Sequence, residues 1–346
     1  MSDAFVPAWW LPGRHAQTVG ARATRPRGGV RLARERLTTP DGDFLDLDWA
    51  ETAAGGLSDA PLTVVLHGLE GSAASGYALE TYRRLGGQGI AAVGLNFRSC
   101  SGELNRAPRL YHSGETGDLR YVIGVLARRF PGRPLAAIGF SLGGNVLLKY
   151  LGEEGQRLQE RRGVGAAEEG GALVAAAAVS VPYDLAAGAA YTEHGVARAY
   201  VWRLLRSLKR KVRARADAFG DRIDLDCALA ARTFREFDDA ATAPLHGFAG
   251  ADDYYRRSSS AGYLGAVRVP TRLIHAVDDP FLPAAALPRD AAARNAALDL
   301  RVTARGGHVG FVSGPPWRRV YWGERMAAEH VAKVVGGRRE VRAVTL

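Results

Sequence analysis

The pentapeptide Gly139-Phe140-Ser141-Leu142-Gly143 fits G-x-S-x-G, with an apolar stretch over 135–140 before it and a helical pattern over 145–151 after it. A sharp strand-to-helix turn of this kind strains the serine and leaves its Oγ exposed, while the flanking glycines remove side chains that would clash. The plainer reading, a glycine-rich helix start with a capping serine, gives no reason for the strand in front. A serine hydroxyl is a weak nucleophile until an adjacent base takes its proton, and the base needs an acid to orient it. Such turns draw their partners in the chain order serine, acid, histidine. Two downstream segments match: Val277-Asp278-Asp279-Pro280-Phe281-Leu282-Pro283 after the run 271–276, and Gly306-Gly307-His308-Val309-Gly310-Phe311 after the run 298–303. Of eight histidines only His308 lies in the loop directly after the last predicted strand, which makes it the candidate base. Asp279 is the favoured acid on register; Asp278 is the alternative, or a brace for the turn. Together these residues would run acyl transfer, with Ser141 attacking a carbonyl carbon.

The oxyanion formed by that attack needs two fixed N–H donors. Leu142 offers one at the start of the helix, where the helix dipole adds to it. Leu69, in Leu66-His67-Gly68-Leu69-Glu70-Gly71-Ser72, offers the other from the loop after an earlier strand. A phosphate loop is the rival for that segment, but it lacks the G-K-[ST] ending that would contact phosphate and magnesium. His67 in the same loop, and Tyr111 and His112 in Arg109-Leu110-Tyr111-His112-Ser113-Gly114-Glu115-Thr116, are candidates for the substrate pocket. The competing reading of the second group is a helix-entry loop capped by Ser113 or Thr116. The pairs Asp238-Asp239 and Asp252-Asp253 have no imidazole or thiolate at metal-site spacing, so no metal is expected. Acyl transfer of this kind needs no organic cofactor either. Cys100 has no base beside it and reads as a small buried residue.

Residues 45–49, 62–66, 90–95 and 135–140 are short β-rich runs, and 77–85 and 116–130 between them carry helical spacing. That alternation predicts a mostly parallel sheet flanked by helices. The sheet continues through 172–181, 271–276 and 298–303, and a helix over about 318–335 closes one domain spanning 1–346. Residues 184–265 are polar, arginine-rich and without a buried-strand run, and read as a helical lid inserted into that domain. Residues 153–170 read as a solvated loop or frayed helix end, and Trp9-Trp10-Leu11-Pro12-Gly13-Arg14-His15 as too proline-rich for a helix but aromatic enough to pack.

Across 346 residues, 47% are apolar and 24% charged, the balance of a folded globular chain. The two cysteines make no disulfide framework, and the opening residues carry no secretory pattern, so the cytoplasm is the expected location. The net charge of +10 is concentrated: residues 198–215 hold eight basic residues and no acid. No zinc spacing or RNP-type aromatic signature accompanies them, so nucleic acid is not an expected partner. Val196, Tyr200, Val201, Leu204, Leu205, Leu208 and Val212 follow a 3.6-residue spacing opposite those charges, an amphipathic helix. Its plain reading is a lid with solvated charges; its sharper one is peripheral contact with anionic membranes.

The chain resembles the YheT-like hydrolases, bacterial relatives of the ABHD lipases with the α/β-hydrolase fold. The likeness rests on the block 9–18, His67-Gly68-Leu69-Glu70-Gly71, Asn96-Phe97-Arg98, Tyr111-His112-Ser113-Gly114, the turn at Ser141, Asp278-Asp279-Pro280-Phe281 and the loop of His308. It implies a serine esterase or lipase whose triad falls on Ser141, Asp279 and His308, acting on a small-molecule or lipid ester. Ser99 departs from the family, which prefers glycine there. An acyltransferase would share the same acyl-enzyme, and a non-catalytic binding scaffold would share the fold alone.

Overall fold

The computed structural model describes residues 4–51, 60–163 and 172–344. Its centre is an eight-stranded sheet of β1 (Arg31–Thr38), β2 (Phe44–Glu51), β3 (Leu62–Leu66), β4 (Ala91–Asn96), β5 (Leu135–Phe140), β6 (Leu173–Val179), β7 (Thr271–Ala276) and β8 (Leu298–Thr303). The spatial order is β1-β2-β4-β3-β5-β6-β7-β8; β2 is antiparallel to both its neighbours and every other pairing is parallel. Strands β3 and β5 are buried along their whole length, as strands covered on both faces must be. The alternation of side chains divides their cover. Val64 and Leu66 pack with Leu119, Val122 and Val146 of α3 (Gly117–Arg129) and α4 (Leu142–Gly163). Val65 and Ile138 pack on the other face with Leu79 and Leu85 of α2 (Gly76–Gly86), and with Met326 and Val331 of the last described helix, Trp322–Val344.

Two elements correct the sequence reading. The segment after Pro12 is helical: α1 runs Gly13–Thr24 and starts behind the proline, which sits extended at its N-cap. A proline there costs no helical hydrogen bond, so proline content ahead of a helix does not forbid it. Edge strand β1 had no apolar run to reveal it. It is held by cross-strand pairs, Arg34 to Asp48 at 2.7 Å and Arg36 to Asp46 at 2.8 Å, and its charges suit a sheet edge. Helix α4 also continues through residues 153–163; the remainder of the loop expected over 153–170 lies outside the described residues.

Between β6 and β7 the chain is helical throughout, with α5 (Leu185–Thr192), α6 (Ala197–Ala214) and further short helices. This segment has its own apolar cluster, in which Val201, Leu205, Leu208 and Val212 of α6 meet Phe219, Phe237 and Leu245. Val196, expected on the apolar face of α6, is exposed because it precedes the helix and the wheel does not apply to it. Among the described residues no helix is long and apolar enough to cross a membrane.

Candidate active site

Ser141 occupies the turn between β5 and α4 with φ +52°, in the left-handed region that a residue with a Cβ enters at a cost of about 1–2 kcal/mol. Its N–H donates to Val179 O at 2.9 Å, which ties the turn to β6. Sterics require the glycines around it. A Cβ on Gly139 would stand 2.5 Å from Gly143 O, and one on Gly143 would stand 2.5 Å from His67 O. The chain can therefore turn only where side chains are missing, and the serine is left projecting.

The structure brings His308 and Asp279 to that serine. His308 Nε2 lies 2.9 Å from Ser141 Oγ, and its Nδ1 lies 2.9 and 3.1 Å from the two oxygens of Asp279. Asp279 is fully buried and accepts the Phe281 N–H at 2.8 Å; the Phe281 ring packs 4.3 Å from the imidazole. Asp278 takes the other position considered for it. Its carboxylate accepts the Gly307 N–H at 2.9 Å and so braces the histidine loop.

Several residues around this relay were not anticipated. The His308 N–H donates to Thr18 Oγ1 of α1 at 2.9 Å, and the Val309 N–H donates to Ser180 Oγ at 2.8 Å. Behind Asp279, the buried imidazole of His275 lies 3.5 Å from Asp279 Oδ2, and burial lowers its pKa to about 4. No local motif flags these three. His275 reads as one more residue of a buried strand, and Thr18 meets its partner across most of the chain.

Leu69 and Leu142 both line a cavity of about 1030 Å³ that opens beside Ser141 and His308. Among the described residues neither N–H is taken by a protein acceptor. The Leu69 loop is clamped from an unexpected direction. Glu70, with φ +54°, donates its N–H to Tyr111 Oη at 2.7 Å, and that hydroxyl donates to Glu70 Oε1 at 2.8 Å. Lys211 of α6 reaches the same carboxylate at 2.6 Å and Cys100 Sγ at 3.2 Å. Lys211 was counted among the outward charges of α6; a buried carboxylate draws it inward instead. Burial pushes the Cys100 thiol up to about 11, so it stays protonated.

Of the three pocket candidates, Tyr111 and His112 line the cavity and His67 does not. His67 is buried behind it, its Nδ1 at 2.7 Å from Gly68 O and its Nε2 accepting the Phe97 N–H at 3.1 Å, with burial lowering its pKa to about 4. It supports the loop from beneath. His112 is held neutral by burial, its pKa lowered to about 3, and packs 4.4 Å from the His246 ring. Thr116 stands at the N-cap of α3, as one of the two candidates considered, but its hydroxyl goes to Glu153 at 2.7 Å and makes no cap bond.

A mostly parallel sheet with helices on both faces and a projecting serine after its fifth strand defines an α/β-hydrolase. In keeping with that fold, the Pyrococcus furiosus esterase Pf2001 superposes with a TM-score of 0.56 over 88% of this chain and 91% of that one, at 17% identity. The esterase-family protein YheT of Escherichia coli strain K12 is 38% identical over 315 residues, 90% of this chain and 88% of its own. Phospholipase ABHD3 of Mus musculus is 29% identical and covers 97% of this chain and 80% of its own; the monoacylglycerol lipase of Saccharomyces cerevisiae is 32% identical over 75% of this chain and 57% of its own. No family model matches. The chain belongs to the YheT family of α/β-hydrolases and is a carboxylic ester hydrolase.

Proposed function

We propose that Ser141, His308 and Asp279 act as a catalytic triad that cleaves carboxylic esters through an acyl-enzyme. The observation that carries this reading is the continuous relay from Ser141 Oγ through both imidazole nitrogens to a buried carboxylate, each link at 2.9 Å. Ser141 Oγ attacks the ester carbonyl as its proton passes to His308 Nε2. The Leu69 and Leu142 N–H groups receive the oxyanion, and His308 returns the proton to the departing alcohol. Water, deprotonated by the same imidazole, then hydrolyses the acyl-serine. Ser141→Ala is expected to abolish both ester turnover and labelling by a fluorophosphonate probe while the circular dichroism spectrum stays unchanged. Labelling that survives the substitution overturns the assignment.

The same reading makes residues 184–265 a lid over the cleft. Tyr200, Trp202 and Leu204 of α6 line the cavity wall, and Trp202 is 63% exposed. An exposed tryptophan among arginines suits an anionic lipid surface, and the similarity to a phospholipase and a monoacylglycerol lipase favours lipid esters as substrates. Cosedimentation with anionic vesicles at low salt, lost at high salt, tests the contact.

A further inference from the structure

Arg22 on α1, Arg27 just beyond it, and Arg203, Arg206 and Arg210 on α6 all line the cavity that holds Ser141. A sixth lining arginine, Arg25, is neutralised by Glu324 at 2.6 Å, and away from the cavity Arg98 pairs with Asp118 at 2.8 Å and Arg272 with Asp299 at 2.8 Å. Among the described residues none of the other five, Arg22, Arg27, Arg203, Arg206 and Arg210, makes an ion pair. Their contacts are weak: Arg206 lies 5.7 Å from the Trp202 ring, and Arg210 reaches Ser207 Oγ at 3.4 Å. Two separate segments, α1 and α6, thus place unneutralised guanidinium groups around one opening. Partial burial, followed by the charge of Arg203, lowers the pKa of Arg22.

The position relative to the serine is as informative as the charge. Arg22 and Tyr77 line the same cavity, and the Tyr77 hydroxyl accepts the Gly68 N–H at 2.9 Å. Gly68 in turn lies so close to Ser141 that a Cβ there would stand 3.1 Å from the serine Cβ. The rim therefore sits where the part of an ester beyond its reacting carbonyl would extend. Arg198 and Arg213 belong to the same helix and are exposed, yet they do not line the cavity, so helical charge alone does not account for the grouping.

We propose that this rim is a subsite for an anionic group, phosphate or carboxylate, carried by the ester that Ser141 cleaves. The proposal rests on the esterase reading and adds the substrate class. Guanidinium forks bind both oxyanions in a bidentate manner, and a cavity wall strengthens the attraction relative to open water.

Two soluble esters with one acyl chain test it: 1-hexanoylglycerol and 1-hexanoylglycerol 3-phosphate, compared by kcat/KM. The wild-type enzyme is expected to prefer the phosphate ester, and R22Q/R203Q to lower that preference roughly tenfold or more, the loss typical of charge-assisted hydrogen bonds. Using the ratio cancels any general loss of activity. R198Q/R213Q is expected to leave the ratio as it was. The same two head groups on long acyl chains in neutral phosphatidylcholine vesicles separate the sources: preference in solution assigns a soluble anionic ester, and preference confined to vesicles assigns a lipid head group. Equal kcat/KM for both esters in both settings overturns the subsite, as does a preference that survives R22Q/R203Q or falls equally in R198Q/R213Q. Titration of glycerol 3-phosphate into the Ser141→Ala protein reads the subsite without turnover. Saturable binding abolished by R22Q/R203Q supports it, and absence of binding overturns it. Failure of the wild-type enzyme to hydrolyse p-nitrophenyl butyrate would instead sink the esterase reading.

Discussion

The loop that carries His308 is held by the interior on several sides: the N–H groups of Gly307, His308 and Val309 donate to Asp278, Thr18 and Ser180 respectively. The helical segment opposite it across the cavity is held differently. Apart from its own apolar cluster, α6 meets the serine side of the molecule through Lys211 on Glu70 and through Tyr200, which hydrogen-bonds His15 at 3.0 Å and stacks 5.4 Å from Phe281, and most of its other charges face the opening or solvent. One region is over-determined by backbone hydrogen bonds and forced glycines; the other is attached at a few points. The groups of the proposed triad are thereby held in a fixed geometry, while the opposite wall is fixed by fewer contacts.

The largest test of that contrast lies in the rigid region. Asp279→Asn is expected to lower kcat by about 10⁴, because an amide presents the wrong partner to Nδ1–H and disturbs the tautomer. Asp278→Asn keeps an acceptor for the Gly307 N–H, so its loss is expected to stay within roughly tenfold. Steady-state kinetics on p-nitrophenyl butyrate compares them. A worse Asp278 variant would reverse the two roles.

The attachment of α6 gives a smaller effect. Lys211→Met removes the cation from Glu70 and leaves a buried carboxylate unpaired next to the Leu69 donor. Removing one oxyanion donor outright costs about 10²–10³ in kcat, and a displaced donor is expected to cost a fraction of that, roughly tenfold. KM for a short neutral ester should change less than kcat, since the ground-state carbonyl makes weaker use of the donor. Restoring charge with Lys211→Arg should recover part of kcat. A variant that loses thermal stability but keeps kcat would make the lysine a structural clamp only.

Legibility in the sequence follows the same division. Strands β3, β5 and β7 match their apolar runs to the residue because they are buried in the sheet, and edge strand β8 matches through the alternation of Leu298, Leu300 and Val302 with polar residues. Ser141, Asp279 and His308 were legible because each follows such a strand. Strand β1 was not, since its partners are the backbone of β2 and the acids there that meet Arg34 and Arg36, which no local pattern displays. Thr18 and Ser180 were invisible for the same reason: their partners are distant in the chain. Ser99 is an intermediate case. It takes φ +61°, the conformation that explains a family preference for glycine, and its Oγ accepts the Asn105 N–H at 3.0 Å. Lys211 was legible as a charge but not by direction, because a helical wheel knows nothing of the carboxylate waiting on Glu70.

The smallest expected effect concerns an acid inside the loosely attached region. Asp238 lines the cavity, accepts hydrogen bonds from the hydroxyls of Thr242 at 2.6 Å and Tyr255 at 2.8 Å, and is pushed by burial up to a pKa of about 7. An acid whose folded pKa is raised binds its proton more tightly in the folded state. Its contribution to stability is therefore fully present below the unfolded pKa, near 3.8, and is lost as pH rises to about 7. Asn in its place keeps one carbonyl acceptor and offers an N–H donor to the second hydroxyl, so the cavity wall stays intact while the titration disappears. Solvent in the cavity screens the charge, which limits the difference to about 1 kcal/mol, or roughly 1–2 °C in Tm for a chain of this length. Asp238→Asn should accordingly gain Tm relative to the wild type between pH 4.5 and pH 7.5, with all other titrations cancelling in the comparison. Parallel Tm curves for the two proteins across that range would mean that Asp238 is already solvated, and that the helical region is as open around its acid as it is around its arginines.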